Sequence, residues 1–154
     1  MPYIYGVLPP VASLKPFEGI VPVKPHITLL KIERPKVVSV DFRAFTAFIG
    51  DVLFLPSRSR PRYIALAVEP RLEFMALRRA LEALLAEVLV ERHGDFKPHL
   101  SVYAVRIKSP TMDELAPAVE EASRLKGAAF DVRSVALIDT SGGEYKPLYT
   151  IQLK

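Results

Sequence analysis

Lys24-Pro25-His26-Ile27-Thr28-Leu29 returns as Lys97-Pro98-His99-Leu100-Ser101-Val102, an offset of 73 residues in a chain of 154. Such self-similarity is the first thing to read in a sequence, because it fixes the architecture before any single element does. The stretches downstream of the two copies also correspond. After the first come Pro35, a short segment starting near Asp41, Gly50, an apolar run Val52–Leu55 and a second run Tyr63–Val68. After the second come Pro110, a helical stretch Met112–Leu125, Gly127, an apolar run Phe130–Ile138 and a closing run Leu148–Leu153. Each half reads as a strand carrying His, a helix, a strand and a strand.

Leu72, Met75, Leu77, Leu81, Leu84, Leu85 and Val88 recur near helical spacing, which predicts a helix over 72–90 that stops at Gly94. Thr111 with Glu114 three residues on forms a capping box for the helix after it. Residues 41–49 are ambiguous: Phe42, Phe45, Phe48 and Ile49 fit a helical face, with a strand as the alternative. Ser141-Gly142-Gly143-Glu144 between two apolar runs marks a hairpin. The expected fold is α+β, one unit over residues 1–154, in two pseudo-symmetric lobes. Antiparallel sheets line a central cleft and helices lie outside.

The repeated motif carries chemistry. Proline pushes the residue before it toward extended geometry, so Lys-Pro suits the entrance to a strand. On a strand, side chains alternate faces, so His26 and Thr28 point one way, as do His99 and Ser101. Same-face neighbours lie roughly 6.6–6.8 Å apart, a span over which one imidazole and one hydroxyl reach a single phosphate. Imidazole titrates near neutrality, so of two such rings one serves as base and the other as acid. Hydroxyls hold the non-bridging oxygens as charge develops. Water attacking a phosphodiester between two histidines needs no metal and no covalent intermediate. His93 lacks the motif and reads as a structural residue near a helix C-terminus, which argues against a three-histidine metal site.

Composition narrows the rest. No cysteine excludes disulfides, thiolate metal sites and thiol nucleophiles. No apolar run approaches the roughly 18 residues that span a bilayer, and the start of the chain lacks a charged leader, so a cytoplasmic protein without membrane contact is expected. The absence of Asn, the single Gln152 and 14 prolines fit a thermophile's composition. Residues 1–77 carry 10 Lys/Arg and 6 Asp/Glu, whereas residues 78–154 carry 11 of each, so the net +4 belongs to the first half. Arg58, Arg60 and Arg62 contribute to it, and a basic bias suits a polyanionic partner.

Paired His-x-Thr/Ser motifs in a duplicated α+β chain resemble the two-histidine (2H) phosphoesterase superfamily, in particular its RNA 2',3'-cyclic phosphodiesterase and 2'-5' RNA ligase group. Tyr3–Leu8 is similar to the family's opening strand, Phe54-Leu55-Pro56 through Arg62–Val68 to its central hairpin, and Leu72–Leu85 to the helix before the second motif. Val135–Leu137, Gly143, Tyr145 and Ile151-Gln152-Leu153 are similar to its closing strands. The chain departs from the family in three places. Only Val11–Val23 stands between the opening strand and the first motif. Ala104 occupies the fifth position past His99, where relatives often carry Arg, with Arg106 two residues on. Ser101 replaces Thr but keeps the hydroxyl.

The resemblance implies that His26 donates a proton to the leaving ribose oxygen, that His99 accepts one from water, and that Thr28 and Ser101 bind the phosphate. The residues alone leave that division between the histidines open. A 2',3'-cyclic phosphate at an RNA end or on a nucleotide is opened to a 2'-phosphate by a protein expected to be a monomer and to need no cofactor. Tyr103, four residues past His99, is expected on the same face, stacking on a base. Lys24, Lys97 and Arg106 are expected to meet the RNA backbone. Two other functions share the motifs: ligation to a 2'-5' link at the same site, and a non-catalytic RNA- or nucleotide-binding module.

Overall fold

A computed structural model describes residues 2–90 and 96–154. His93 and Gly94, the expected helix stop, lie outside them. Among the described residues the strands are β1 (Tyr3–Val7), β2 (Ile20–Ile32), β3 (Phe45–Pro56), β4 (Pro61–Glu69), β5 (His99–Val105), β6 (Ala129–Val132), β7 (Ser134–Asp139) and β8 (Lys146–Gln152). Helix α1 (Arg71–Leu85) follows β4, and α2 (Met112–Ser123) follows β5. All strand pairs are antiparallel, in one sheet of order β6-β3-β4-β5-β2-β1-β7-β8. The α+β class and antiparallel pairing expected from the sequence are what the chain adopts.

The centre of that order is the β5·β2 pair, so the two motif strands are direct neighbours. On one side lie β4, β3 and β6, all from the middle of the chain; on the other lie β1, β7 and β8, from its two ends. The two four-stranded halves of the sheet are therefore not the two halves of the sequence. One core serves both: Tyr5, Val135 and Ile151 on one side and Phe74, Leu77, Leu115 and Val132 on the other belong to a single buried cluster.

The helix expected after each motif forms only after the second. There Thr111 and Glu114 make the reciprocal capping box, with Glu114 N–H donating to Thr111 Oγ1 (3.1 Å) and Thr111 N–H to Glu114 Oε1 (2.9 Å). After the first motif the chain stays extended. Val40 is buried against the core, Ala44 N–H donates to Lys154 O and Lys154 N–H to Phe42 O (both 2.9 Å). Those bonds pin residues 41–44 to the C-terminus, and β3 begins at Phe45. Helix α1 also ends sooner than its periodicity suggests, at Leu85 rather than residue 90. Its continuation is captured by the end of β2, as Glu33 N–H donates to Val88 O (2.9 Å) and Val90 N–H to Lys31 O (3.1 Å).

Candidate active site

Antiparallel pairing sets His26 opposite Ser101 and Ile27 opposite Leu100. One further step of that register sets Thr28 opposite His99. The four motif side chains thus occupy the corners of a grid, two histidines on one diagonal and two hydroxyls on the other. Directly opposed residues have Cβ atoms about 4.5–5.5 Å apart and diagonal ones about 7–8 Å, which brackets a phosphate between the imidazoles. All four line one cavity of about 420 Å³. Ile27 and Leu100, between them in sequence, are fully buried in the core beneath. The alternation of polar and apolar residues is what produced this division.

Each imidazole is held the same way. His26 Nδ1 lies 2.7 Å from Lys24 O, and His99 Nδ1 lies 2.9 Å from Lys97 O. A carbonyl only accepts, so Nδ1 carries the proton in both rings and Nε2 is the nitrogen available for proton transfer. Proline at 25 and 98 lacks an N–H for the ladder. Around the first motif, pairing jumps from Pro22↔Tyr103 to His26↔Ser101, which takes the Lys24 carbonyl out of register and leaves it to the ring. His26 is 5 % exposed, and burial pushes its pKa below the ordinary 6.5; the Lys24 carbonyl pulls it back up, and the charge of His99 lowers it further. Tyr145 stacks on His26 with ring centroids 4.1 Å apart, from a backbone in the left-handed region (φ 49°). For a bulky residue that conformation costs energy and is held by its surroundings.

A family profile described as the 2'-5' RNA ligase superfamily matches residues 33–144. The chain belongs to the 2'-5' RNA ligase superfamily. Members of this superfamily, the 2H phosphoesterases, act on phosphodiester bonds. The match begins past the first motif and includes the second, so what brings His26 into the site is the β2·β5 register. TT0787 of Thermus thermophilus has the same fold, with TM-score 0.70 and 21% identity over 99% of this chain and 97% of that one. A structure described as a phosphoesterase gives TM-score 0.68 at 18% identity over 99% and 97%. E. coli LigT complexed with 3'-AMP gives 0.66 at 18% identity, also over 99% and 97%. No protein of curated function matches the chain.

Within this 2'-5' RNA ligase superfamily fold the remaining expected contacts fare differently. Tyr103 does not face the cleft. It is fully buried, its hydroxyl donates to Lys15 O (2.7 Å), and burial pushes its pKa up to about 12. Counting two residues per face failed because β5 bulges: Ser101 pairs with Ala65 and Tyr103 with Ile64, leaving Val102 as an extra residue. A bulge resets the alternation, so Val102 and Tyr103 both enter the core. Lys24, Lys97 and Arg106 are exposed and stand outside the cavity lining. Lys24 Nζ instead donates to Tyr145 O at 3.5 Å, fastening the tyrosine's backbone to the motif.

Several lining residues escaped the sequence reading. On β2 the same kind of bulge falls at Leu29, between Gly6↔Thr28 and Tyr5↔Leu30, and Lys31 emerges opposite the cavity residue Ile4. The offset that singled out Ala104, five past His, would have found Lys31 in the first motif. Arg78 of α1 lines the cavity while 4 % exposed; its Nε donates to Glu82 Oε1 (2.6 Å) and its guanidinium sits 4.7 Å over Phe96. Tyr63 and Leu55, opposite each other on the β3–β4 hairpin, line the other end. Among the described residues no group of His, Asp or Glu gathers as it would to hold a metal ion, and no helix is long and apolar enough to cross a membrane.

Proposed function

We propose that the chain hydrolyses 2',3'-cyclic phosphates, at RNA 3' ends or on nucleotides, to 2'-phosphates. What carries this reading is the convergence of His26, Thr28, His99 and Ser101 on one cavity with both Nδ1 atoms committed to carbonyls. His99 Nε2 takes a proton from water as the water oxygen bonds to phosphorus. The bond from phosphorus to the ribose 3'-oxygen breaks, and His26 Nε2 supplies that oxygen's proton. One water is consumed, and the two rings exchange protonation states until solvent resets them. Thr28 and Ser101 donate to the non-bridging oxygens. The superfamily's nucleotide complexes, such as LigT with 3'-AMP and with NADP+, support a nucleotide-sized occupant.

The test is to incubate the protein with a nucleoside 2',3'-cyclic phosphate in the presence of a chelator and identify the product isomer. A 2'-phosphate is expected; no turnover, or turnover abolished by chelation, refutes the reading. The superfamily's name favours a second activity, attack by a 5'-hydroxyl in place of water to give a 2'-5' link. Microscopic reversibility assigns it to the same groups, so it must vanish with hydrolysis in His26→Ala and His99→Ala variants.

A further inference from the structure

The catalytic grid is nearly two-fold symmetric, so its flanks decide how a substrate lies across it. Beyond Ser101 the strand neighbour is Tyr63, paired with Ala104 and lining the cavity while 46% exposed. Tyr63 and its partner Leu55 belong to the β3–β4 hairpin, which runs outward from the cavity to the turn at Ser57–Arg60. That turn holds Arg58 and Arg60, both exposed, with no carboxylate in an ion pair to either among the described residues. The Ser57 and Ser59 hydroxyls bond each other (3.0 Å) and Arg60 N–H donates to Ser57 Oγ (3.3 Å), which orders the turn from within. An exposed aromatic leading from a catalytic cavity to uncompensated cations is the arrangement that binds single-stranded nucleic acid: bases stack, and the backbone follows the charge.

We propose that the β3–β4 hairpin is the track for the RNA strand that enters the site, with Tyr63 stacking the base next to the terminal one and Arg58 and Arg60 taking its phosphates. This rests on the hydrolase reading and adds to it the path by which a strand reaches the site and the residues that hold it. It also fixes polarity. In a terminal cyclic phosphate the 3'-oxygen lies on the side of the incoming strand and the 2'-oxygen on the side of the base. A strand arriving past Tyr63 and Ser101 brings the 3'-oxygen to His26, which is the proton donor, and turns the terminal base toward Phe96 and Lys31. Arg62 is the extra residue of a bulge, between Leu55↔Tyr63 and Pro56↔Pro61, and stands outside the cavity lining.

The experiment measures binding of a short single-stranded RNA ending in a 2'-phosphate and of the matching nucleoside 2'-monophosphate, neither of which is turned over. Wild type is expected to hold the oligonucleotide at least about tenfold more tightly. In the Arg58→Gln/Arg60→Gln double variant that ratio should fall toward one. The salt dependence of oligonucleotide binding should weaken by about 0.7 in log–log slope for each phosphate no longer neutralised. Arg124→Gln/Arg133→Gln, an equal change of charge at two exposed positions outside the cavity lining and the hairpin, should keep the ratio. An oligonucleotide bound no better than the mononucleotide overturns the track, as does an Arg58→Gln/Arg60→Gln variant that keeps the preference or an Arg124→Gln/Arg133→Gln variant that loses it. Turnover of a cyclic mononucleotide, measured alongside, separates the two readings. Turnover without oligonucleotide preference removes the track alone, and preference without turnover of any cyclic end removes the hydrolase.

Discussion

His26 and His99 hold the same side chain in unequal surroundings, and the inequality sets the pH behaviour. Burial lowers the pKa of His26 from 6.5, so the free protein carries it deprotonated at neutral pH. In the proposed role of proton donor it must be protonated, so kcat/KM, which reports the free enzyme, is expected to fall as pH rises through a value below 6.5. A bound phosphate favours the imidazolium, so the alkaline limb of kcat should sit at higher pH than that of kcat/KM. If the limb below 6.5 proves to be an acid limb instead, donor and acceptor are exchanged. The same shift is a stability statement. The unfolded chain binds a proton at His26 more readily, so stability present above pH 6.5 is lost as pH falls toward the folded pKa. Melting temperatures of wild type and His26→Ala across that window should converge at low pH. Replacing either histidine by Ala should cost about 10²–10⁴ in kcat, and Thr28→Val or Ser101→Ala about 10²–10³, in steady-state assays with unchanged circular dichroism.

Strands position these groups, and the position depends on a residue far from any motif. Gly6 of β1 pairs with Thr28, and a Cβ there would stand 2.6 Å from Ile27 O, in the backbone between His26 and Thr28. Gly6→Ala should therefore shift β2, destabilise the fold by about 1–3 kcal/mol and lower kcat, read from denaturant midpoints and rates on the same preparation. Thr111→Ala removes the α2 capping box and should cost about 0.5–2 kcal/mol with kcat unchanged. The motif strands were legible because period-two alternation is a local signal; Lys97-Pro98 does precede β5, whereas Lys24-Pro25, expected at a strand entrance, lies inside β2 where its pairing is interrupted. The stretches beyond the motifs were not legible. The bulges at Leu29 and Val102 depend on the neighbouring strands, so nothing in either motif announced that Lys31 would reach the cavity or that Tyr103 would leave it. The missing helix before β3 is likewise decided from outside, by bonds to Lys154 more than a hundred residues away in sequence.

At the scale of the molecule, the repeat announced two motif strands that meet but not how the chain divides on either side of them. Similarity along the sequence suggested one half after the other; the sheet instead assigns residues 45–132 to one side and both ends of the chain to the other. Strand order is set by long-range pairing, which a 73-residue offset does not encode. Because one buried cluster runs through both sides, heating should give a single cooperative transition by calorimetry, with calorimetric and van't Hoff enthalpies equal; two resolved transitions would show the sides to be independent. The β2·β5 ladder at the middle of the sheet has a kinetic corollary. A hydrogen-bonded seam opposes a clamshell swing of the two sides, so under the proposed hydrolase reading reactants are expected to come and go through a mouth that stays open, with no closure step in pre-steady-state kinetics.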